Sequence, residues 1–456
     1  MSGRYKAYPK YQDSGITWTG KIPSHWGAKQ LKFLCSYNDD VLPESAGADF
    51  EIEYIDIGSV DASSGIKKTE KFTLKKAPSR ARRRVQDGDV IISTVRTYLE
   101  AIASINNPPE NMVVSTGFAV IRPREGLDKG FAAYCLRAEG FIGEVVSRSV
   151  GISYPAINAS DLVNIGVPVL PLPEQKQIAK FLDHETGKID LLIEKQQALI
   201  ALLKEKRQAV VSHAVTKGLN PHAKMKDSGV EWLGEVPEHW EVSRIKFTIT
   251  TFEQGWSPQC DARPRDRNEI GVLKVGCVNS GVFESNENKA LPSSLMPRHQ
   301  YSLKKGDLLI SRANTRDLVG KAAMVEEDDA MLLLCDKLYR LRFSFQTEPH
   351  FIRDYILSDA GRNQIELDAT GASASMVNIG QDCIKEMPIA FPPLSEQQEI
   401  TRTMRKHAVD FESLLEKSEK QIELMQERRT ALISVAVTGK IDVRDWEPAP
   451  ALTERK

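Results

Sequence analysis

The sequence predicts an α+β fold built twice, as two similar α+β domains separated by two long helices in a pseudo-twofold internal duplication. Three observations predict it. The segment Asp13-Ser14-Gly15-Ile16-Thr17-Trp18-Thr19-Gly20-Lys21-Ile22-Pro23-Ser24-His25-Trp26 returns as Asp227-Ser228-Gly229-Val230-Glu231-Trp232-Leu233-Gly234-Glu235-Val236-Pro237-Glu238-His239-Trp240, Trp18 and Trp232 lying 214 positions apart. Leu172-Pro173-Glu174-Gln175-Lys176-Gln177-Ile178 returns as Leu394-Ser395-Glu396-Gln397-Gln398-Glu399-Ile400, and Ala209–Thr216 returns as Ala431–Thr438, both pairs 222 positions apart (Leu172 to Leu394). Between these landmarks weaker echoes survive, among them Ile57-Gly58-Ser59-Val60 with Val275-Gly276-Cys277-Val278. A solenoid repeats every ~20–50 residues, so a period this long marks a duplicated domain.

The elements follow in order. Residues 1–20 form an N-terminal lead, 21–172 a first domain, 173–217 a central long helix, 218–234 a second lead, 235–393 a second domain, 394–439 a C-terminal long helix, and 440–456 a tail, frayed from 444 onward. In the domains, Asp87-Gly88-Asp89-Val90-Ile91-Ile92-Ser93 pairs with Lys305-Gly306-Asp307-Leu308-Leu309-Ile310-Ser311. Gly-Asp ahead of an apolar run reads as a turn feeding a buried strand. Phe118–Arg122 and Leu338–Arg342 also read as strands, and Phe131–Leu136 and Phe351–Leu357 as helical.

The strict 222 offset suits long helices, where an insertion rotates every later side chain off its face. Pro173 or Ser395 opens the first turn, and Glu174 or Glu396 sits near the positive end of the dipole. A rough heptad seam runs through Ile178, Leu182, Ile189, Leu192, Leu199, Leu203 and Val210, and through Ile400, Met404, Phe411, Leu414, Met425 and Leu432. Polar residues break it at equivalent places: Glu185 and His407, Gln196 and Ser418, Lys206 and Arg428. Gly218 and Gly439-Lys440 are stops. About 43 residues at ~1.5 Å rise give a rod of roughly 65 Å, and its length and doubling favour two helices paired with each other.

Bulk properties exclude several classes. Hydrophobic residues at 41% and charged residues at 27% describe a globular chain, with no apolar run near the ~18 residues of a membrane helix. The opening Met1–Lys6 leads into polar sequence with no signal-peptide core. Six widely spaced Cys without Cys-x-x-Cys fit a cytoplasmic location better than a zinc site or a disulfide framework. A net charge of −1 names no partner, so any contact with nucleic acid must use local positive charge.

The ordered duplication resembles the specificity subunits of type I restriction–modification systems. The residues that carry the resemblance are the Asp-Ser-Gly-x-x-Trp-x-Gly-x-x-Pro-x-His-Trp lead, the Gly-Asp strand, Pro171-Leu172-Pro173-Glu174-Gln175 with Pro392-Pro393-Leu394-Ser395-Glu396-Gln397, and the long helix that follows. It covers residues 8–443. It implies two target-recognition domains, each reading half of an interrupted double-stranded DNA sequence, with the long helices packed antiparallel as a coiled-coil-like spacer. It implies no catalytic activity in this chain. It also implies two partner modification subunits that methylate adenine with S-adenosylmethionine, and restriction (translocase) subunits that use ATP and Mg. No cofactor belongs to this chain itself.

The residues agree on chemistry. Asn107-Pro108-Pro109-Glu110 approaches the Asn-Pro-Pro-aromatic motif of adenine methyltransferases, but the aromatic that stacks on a flipped base is replaced by Glu110. No Gly-rich cofactor loop lies upstream, and no P-loop or His-Glu-x-x-His metal spacing occurs. No catalytic or metal-binding residue is assigned. A basic cluster, Lys67, Lys68, Lys71, Lys75, Lys76, Arg80, Arg82, Arg83 and Arg84, faces one acid, Glu70, and fits phosphate neutralisation. Its weaker counterpart is Arg298, Lys304 and Lys305, with His299 and a loop carrying Arg263, Arg265 and Arg267. Base reading needs side chains held on rigid elements, and the candidates lie just beyond the Gly-Asp strands: Arg96, Thr97 and Tyr98, then Arg312, Asn314, Thr315 and Arg316. Ser153 and Tyr154 of Gly151–Tyr154, and Ser373 and Ser375 of Gly371–Ser375, form a further pair of polar loops.

The repeated Trp18, Trp26, Trp232 and Trp240 read as pins holding each lead to a core, with His25 and His239 satisfying local hydrogen bonds. Two other functions stay open at this level: a self-contained DNA methyltransferase with a recognition half, and a coiled-coil scaffold that never touches DNA.

Overall fold

A computed structural model describes residues 5–43, 45–61, 65–373 and 376–448. The chain divides into two compact units, Met1–Gln197 with Glu419–Lys456, and Ala198–Ser418. The boundary falls inside both long helices, Leu172–Lys217 and Leu394–Val437, so each unit owns half of each.

The first unit holds two four-stranded sheets. One runs Ile102–Ser104, Val90–Ser93, Phe118–Pro123, Cys35–Tyr37, antiparallel throughout. The other runs Glu70–Thr73, Glu51–Ile55, Met112–Ser115, Ala81–Arg84, with a single parallel pair, Met112–Ser115 beside Glu51–Ile55. The second unit repeats this plan. Its first sheet is Ala322–Met324, Leu308–Ser311, Leu338–Phe343, Ile249–Gln254. Its second is Asn288–Ala290, Gly271–Leu273, Asp329–Leu333, Ser302–Leu303, again with one parallel pair, Gly271–Leu273 beside Asp329–Leu333. Topology has thus survived where sequence diverged.

The strand after each Gly-Asp turn is buried on both faces, as its unbroken apolar run requires. Side chains alternate across a strand. Val90 and Ile92 enter a core with the helices, whereas Ile91 enters a second core against the other sheet. Leu308 and Ile310 make the same division with Leu309. The helix-side core of the first unit takes Ile178, Phe181 and Leu182 from the first long helix and Leu432, Ile433 and Ala436 from the second. That of the second unit takes Ala214 and Val215, with Ile400 and Met404.

Within each unit the two helices run antiparallel. In the first, Arg429 Nε donates to Asp190 Oδ1 at 2.8 Å, and Gln177 reaches the Val443 carbonyl beyond the end of the second helix. In the second, Arg207 faces Glu412 at 3.6 Å. The predicted seam needs correction: Leu192, Leu199 and Leu414 are exposed. Two helices alone cover only part of each other's surface, and it is the domains that bury the helix ends. Of the polar breaks, Glu185 and Ser418 are buried. Glu185 accepts from the Tyr5 hydroxyl at 3.2 Å.

The leads explain their own conservation between halves. Each is a short hairpin, Tyr11–Asp13 with Lys21–Pro23 and Met225–Asp227 with Glu235–Pro237. It delivers a His-Trp pair onto the first-turn glutamate of a long helix. His25 Nε2 lies 2.9 Å from Glu174 Oε2, and Trp26 Nε1 donates to Glu174 Oε1 at 3.0 Å. His239 and Trp240 hold Glu396 at 2.8 and 3.1 Å. The expected local hydrogen bonding of the two histidines is therefore replaced by a contact across about 150 residues, visible only once the lead is folded against the helix. The neighbouring glutamine closes the joint: Gln175 accepts from the Asp128 N–H and donates to the Leu170 carbonyl, and Gln397 accepts from Glu348 N–H and donates to Pro392.

The same leads receive the other helix ends. Gly218 and Gly439 take left-handed φ of 78° and 67°, the conformation that terminates a helix cheaply only at glycine. A Cβ on Gly218 would lie 3.3 Å from Trp240, and one on Gly439 3.1 Å from Trp26. Gly and Lys are swapped in order between the two stops, yet each lysine reaches equivalent lead carbonyls: Lys440 to Thr19 and Lys21, Lys217 to Leu233 and Glu235.

The tail reading also needs correction, as the chain from Lys440 to Trp446 is held against the first unit. Asp442 N–H donates to the Lys6 carbonyl at 2.7 Å, Val443 is buried, and the Trp446 ring meets Phe181 edge-on at 5.2 Å. Apolar residues here cover the first turns of the long helix. Residues 449–456 lie outside the described residues. Among the described residues, no helix is long and apolar enough to cross a membrane.

Glu174→Ala leaves the buried Tyr8 and Trp26 donors without an acceptor. It is expected to destabilise the first unit by about 2–5 kcal/mol in chemical denaturation, with Glu174→Gln retaining part of that. A loss below about 0.5 kcal/mol would contradict the role given to this carboxylate.

Candidate nucleic-acid interface

The candidate readers hang from the Gly-Asp turn. Gly88 and Gly306 adopt φ of 87° and 86°. The aspartate that follows is fully buried in both units. Asp89 accepts from the Gln86 N–H at 2.8 Å and takes a two-pronged contact from Arg122 at 2.9 and 2.8 Å. Asp307 accepts from the Lys304 N–H at 3.0 Å and from Arg342 at 2.6 and 3.2 Å. Paired arginine–carboxylate contacts are directional, so they fix the central strand against its neighbour. That strand then ends in the loop that carries the base-reading candidates.

The two loops predicted separately in each domain are joined. In the first unit, Val95 bridges to Ala156 and Ala156 to Val150. The loop around Arg96 and the loop around Tyr154 thus make one surface. In the second unit, Ala313–Asn314 pairs with Met376–Asn378, which pairs with Thr370–Ser373. The same two chain regions meet, here as a three-stranded sheet.

Side chains on these surfaces differ in availability. Arg96 is exposed, takes φ of 52°, and places its guanidinium 5.1 Å from the Tyr154 ring centroid. A left-handed arginine is disfavoured by roughly 1–2 kcal/mol. Stacking on Tyr154 holds it in return, worth about 0.5–1 kcal/mol at an exposed site. Tyr98, Ser153 and Tyr154 are exposed. Thr97 is buried, and its hydroxyl donates to Ser149 Oγ at 2.7 Å. It positions the loop and does not face outward.

In the second unit, Arg312 is half-buried against Asp336 and Tyr339. Asn314 is committed to Asn279, its Nδ2 donating at 3.0 Å while its Oδ1 accepts from the Thr315 N–H. Thr315 and Arg316 are exposed. Ser373 lies in the strand Thr370–Ser373, its side chain not among those described, and Ser375 lies outside the described residues.

The basic cluster is divided by the fold. Lys71 lies on Glu70–Thr73 and Arg82, Arg83 and Arg84 on Ala81–Arg84, the opposite edges of one sheet. Three strand spacings separate them, about 14 Å. Arg83 donates to Asn38 and to the Phe118 carbonyl, and burial lowers its pKa. It is a strut between sheets. Lys67 pairs with Asp61 and Lys68 with Glu70, each at 2.8 Å, and Arg84 lies 3.9 Å from Asp40. Lys71, Lys75, Lys76, Arg80 and Arg82 are exposed. In the second unit Arg298 stacks 4.6 Å from Trp256, a partner that sequence reasoning did not assign, while Lys304 and Lys305 are exposed. Arg263 is taken by Glu269 at 2.6 and 2.7 Å, which lowers that carboxylate to about 2, and Arg265 by Asp329 at 2.6 Å.

Asn107-Pro108-Pro109-Glu110 forms a turn, with Asn107 at φ 46° and its N–H on Asp87 Oδ1 at 3.0 Å. Among the described residues, no group of three or more His, Cys, Asp or Glu is arranged to hold a metal ion.

The arrangement of paired domains, each with a long helix, is matched twice by the family model of the type I restriction modification DNA specificity domain, over residues 25–201 and 237–424. The chain belongs to this family. It is similar to the type I restriction enzyme EcoEI specificity subunit of Escherichia coli, 34% identical over 37% of this chain and 29% of the relative. It is also similar to the EcoKI specificity subunit of Escherichia coli strain K12, 26% identical over 62% and 59%. These alignments span less than two thirds of either relative. A solved chain from work on complex assembly and conformational transition of the type I R–M system shares the fold, at TM-score 0.68 and 20% identity, over 91% of this chain and 98% of that one. The two units are therefore DNA-specificity domains, and the named relatives are specificity subunits.

Arg83→Ala is expected to cost about 1–3 kcal/mol of stability and leave the salt dependence of DNA binding unchanged. Lys75→Ala and Lys76→Ala should leave stability within ~0.5 kcal/mol and each lower the log–log salt slope by about 1 if it meets a phosphate. Denaturation and DNA titrations across salt concentration separate the two kinds of residue.

Proposed function

We propose that this chain is the DNA-reading subunit of a type I restriction–modification complex and that each unit reads one half of an interrupted double-stranded target. The observation that carries the reading is the joined pair of loops, built alike in both units and furnished differently. Arg96 on Tyr154 faces outward in one, Thr315 and Arg316 in the other. A shared frame with different tips suits a shared task on different bases. Arginine matches guanine O6 and N7, and hydroxyls and amides serve other edges. The exposed lysines and arginines around them hold the phosphates, a contribution independent of sequence.

The long helices act as the spacer and, with the leads, as the constant surface that two modification subunits recognise. Those subunits supply S-adenosylmethionine and methylate adenine. Restriction subunits add ATP- and Mg-dependent cleavage. This chain contributes the address and no bond-breaking step, in keeping with a cytoplasmic complex.

The test is to map methylated adenines genome-wide with and without the chain, then with Arg96→Ala. Loss of one bipartite methylation pattern with the chain is expected. Arg96→Ala should weaken one half-site only, by roughly 1–3 kcal/mol for a bidentate base contact. Equal loss on both half-sites, or none, contradicts the assignment.

A further inference from the structure

The loop Val150–Tyr154 of the first unit ends in apolar side chains that nothing in the unit covers. Ile152 is 103% exposed, Val150 80% and Tyr154 67%. Single exposed apolar residues are ordinary, but apolar side chains grouped on one tip mark contact with another molecule. The tip is held in place. Val150 N–H donates to the Ala156 carbonyl at 2.8 Å and Ala156 N–H returns to Val150 at 3.0 Å. Gly151 turns the loop at φ 120°, where a Cβ would lie 3.1 Å from the Tyr154 carbonyl. Tyr154 carries the Arg96 guanidinium. The apolar tip therefore belongs to the same surface as the best-placed polar reader.

Resting on the assignment of that surface to DNA, we propose that Ile152 reads the 5-methyl group of a thymine in the major groove of the first half-site. The chemistry leaves little choice of partner. Base edges in the major groove offer nitrogen and oxygen acceptors, amino donors, and one apolar group, the thymine methyl. An isoleucine side chain has no donor or acceptor, so the methyl is the one base feature by which it discriminates. Arg96, stacked on Tyr154 of the same loop, supplies the polar contact, giving the first unit a polar and an apolar reader on one surface. The corresponding position in the second unit is Ala372, and the assignment is made for the first half-site alone. Insertion between base steps is the competing use of an exposed aliphatic side chain, and it requires unstacking.

The experiment uses the chain assembled with its modification subunits and a duplex carrying the target mapped by methylation. Each thymine of the first half-site is replaced singly by deoxyuridine, which removes only the methyl. One replacement should weaken binding roughly fourfold, the value of one buried methyl-sized group. Ile152→Ala should bind the thymine and deoxyuridine duplexes equally at that position, with Ile152→Val retaining part of the difference. Replacements in the second half-site should affect wild type and variant alike. Unchanged wild-type binding for every replacement in the first half-site, or a difference that persists in Ile152→Ala, overturns the proposal. So does brightening of an adjacent 2-aminopurine that depends on Ile152, which would mark insertion. If the wild-type assembly does not prefer its mapped target to unrelated DNA, the underlying assignment of the surface to DNA falls instead.

Discussion

A carboxylate at the first turn of each long helix, gripped by a histidine and a tryptophan from the preceding lead, is the contact on which the rest of each unit depends. A buried charge is costly unless it is hydrogen-bonded. Glu174 meets that condition with three donors, from Tyr8 at 2.7 Å, His25 and Trp26. It also stands at the positive end of a helix dipole. Burial, with the Glu174 contact adding to it, pushes the Tyr8 phenol far above its ordinary value and keeps it a donor. In the second unit the position matching Tyr8 is His222, which is exposed, and Glu396 has two donors and more solvent contact. The same joint therefore exists in a closed and an open form within one chain.

From that joint the architecture follows outward. The lead that grips the start of one helix also receives the glycine end of the other, so each unit is clamped around two helix halves. The helix-side core rests on those halves, and the central strand divides its side chains between that core and the second sheet. Asp89 and Asp307, buried at the start of the central strand and paired with Arg122 and Arg342, then anchor that strand against its neighbour. The halves also differ in the loops beyond this point, where side chains change at little cost to stability.

The sequence made the duplication, the Gly-Asp turns, the buried strands and the long helices legible, because each rests on local pattern or on register between copies. Long-range pairing left no such trace. Val95 and Ala156 lie 61 positions apart, and no local signal says that their loops become one surface. Lys71 and Arg83 look like one basic cluster in sequence but sit on opposite edges of a sheet whose strand order crosses over. Arg83, Asn314 and Thr97 were indistinguishable from free polar residues until their partners Phe118, Asn279 and Ser149 were in place. Of the heptad seam, Ile178, Leu182, Ile400 and Met404 are buried in the cores that the domains share with the helices, whereas Leu192 and Leu199 are exposed.

We propose a constant clamp that carries two independent readers. It is tested most directly by exchanging residues 235–390 for the matching segment of another specificity subunit, assembling the hybrid with its modification subunits, and mapping methylated adenines. The second half-site is expected to change to the donor's while the first half-site is untouched. A hybrid that alters both half-sites, or that folds and still methylates the original target, would contradict it.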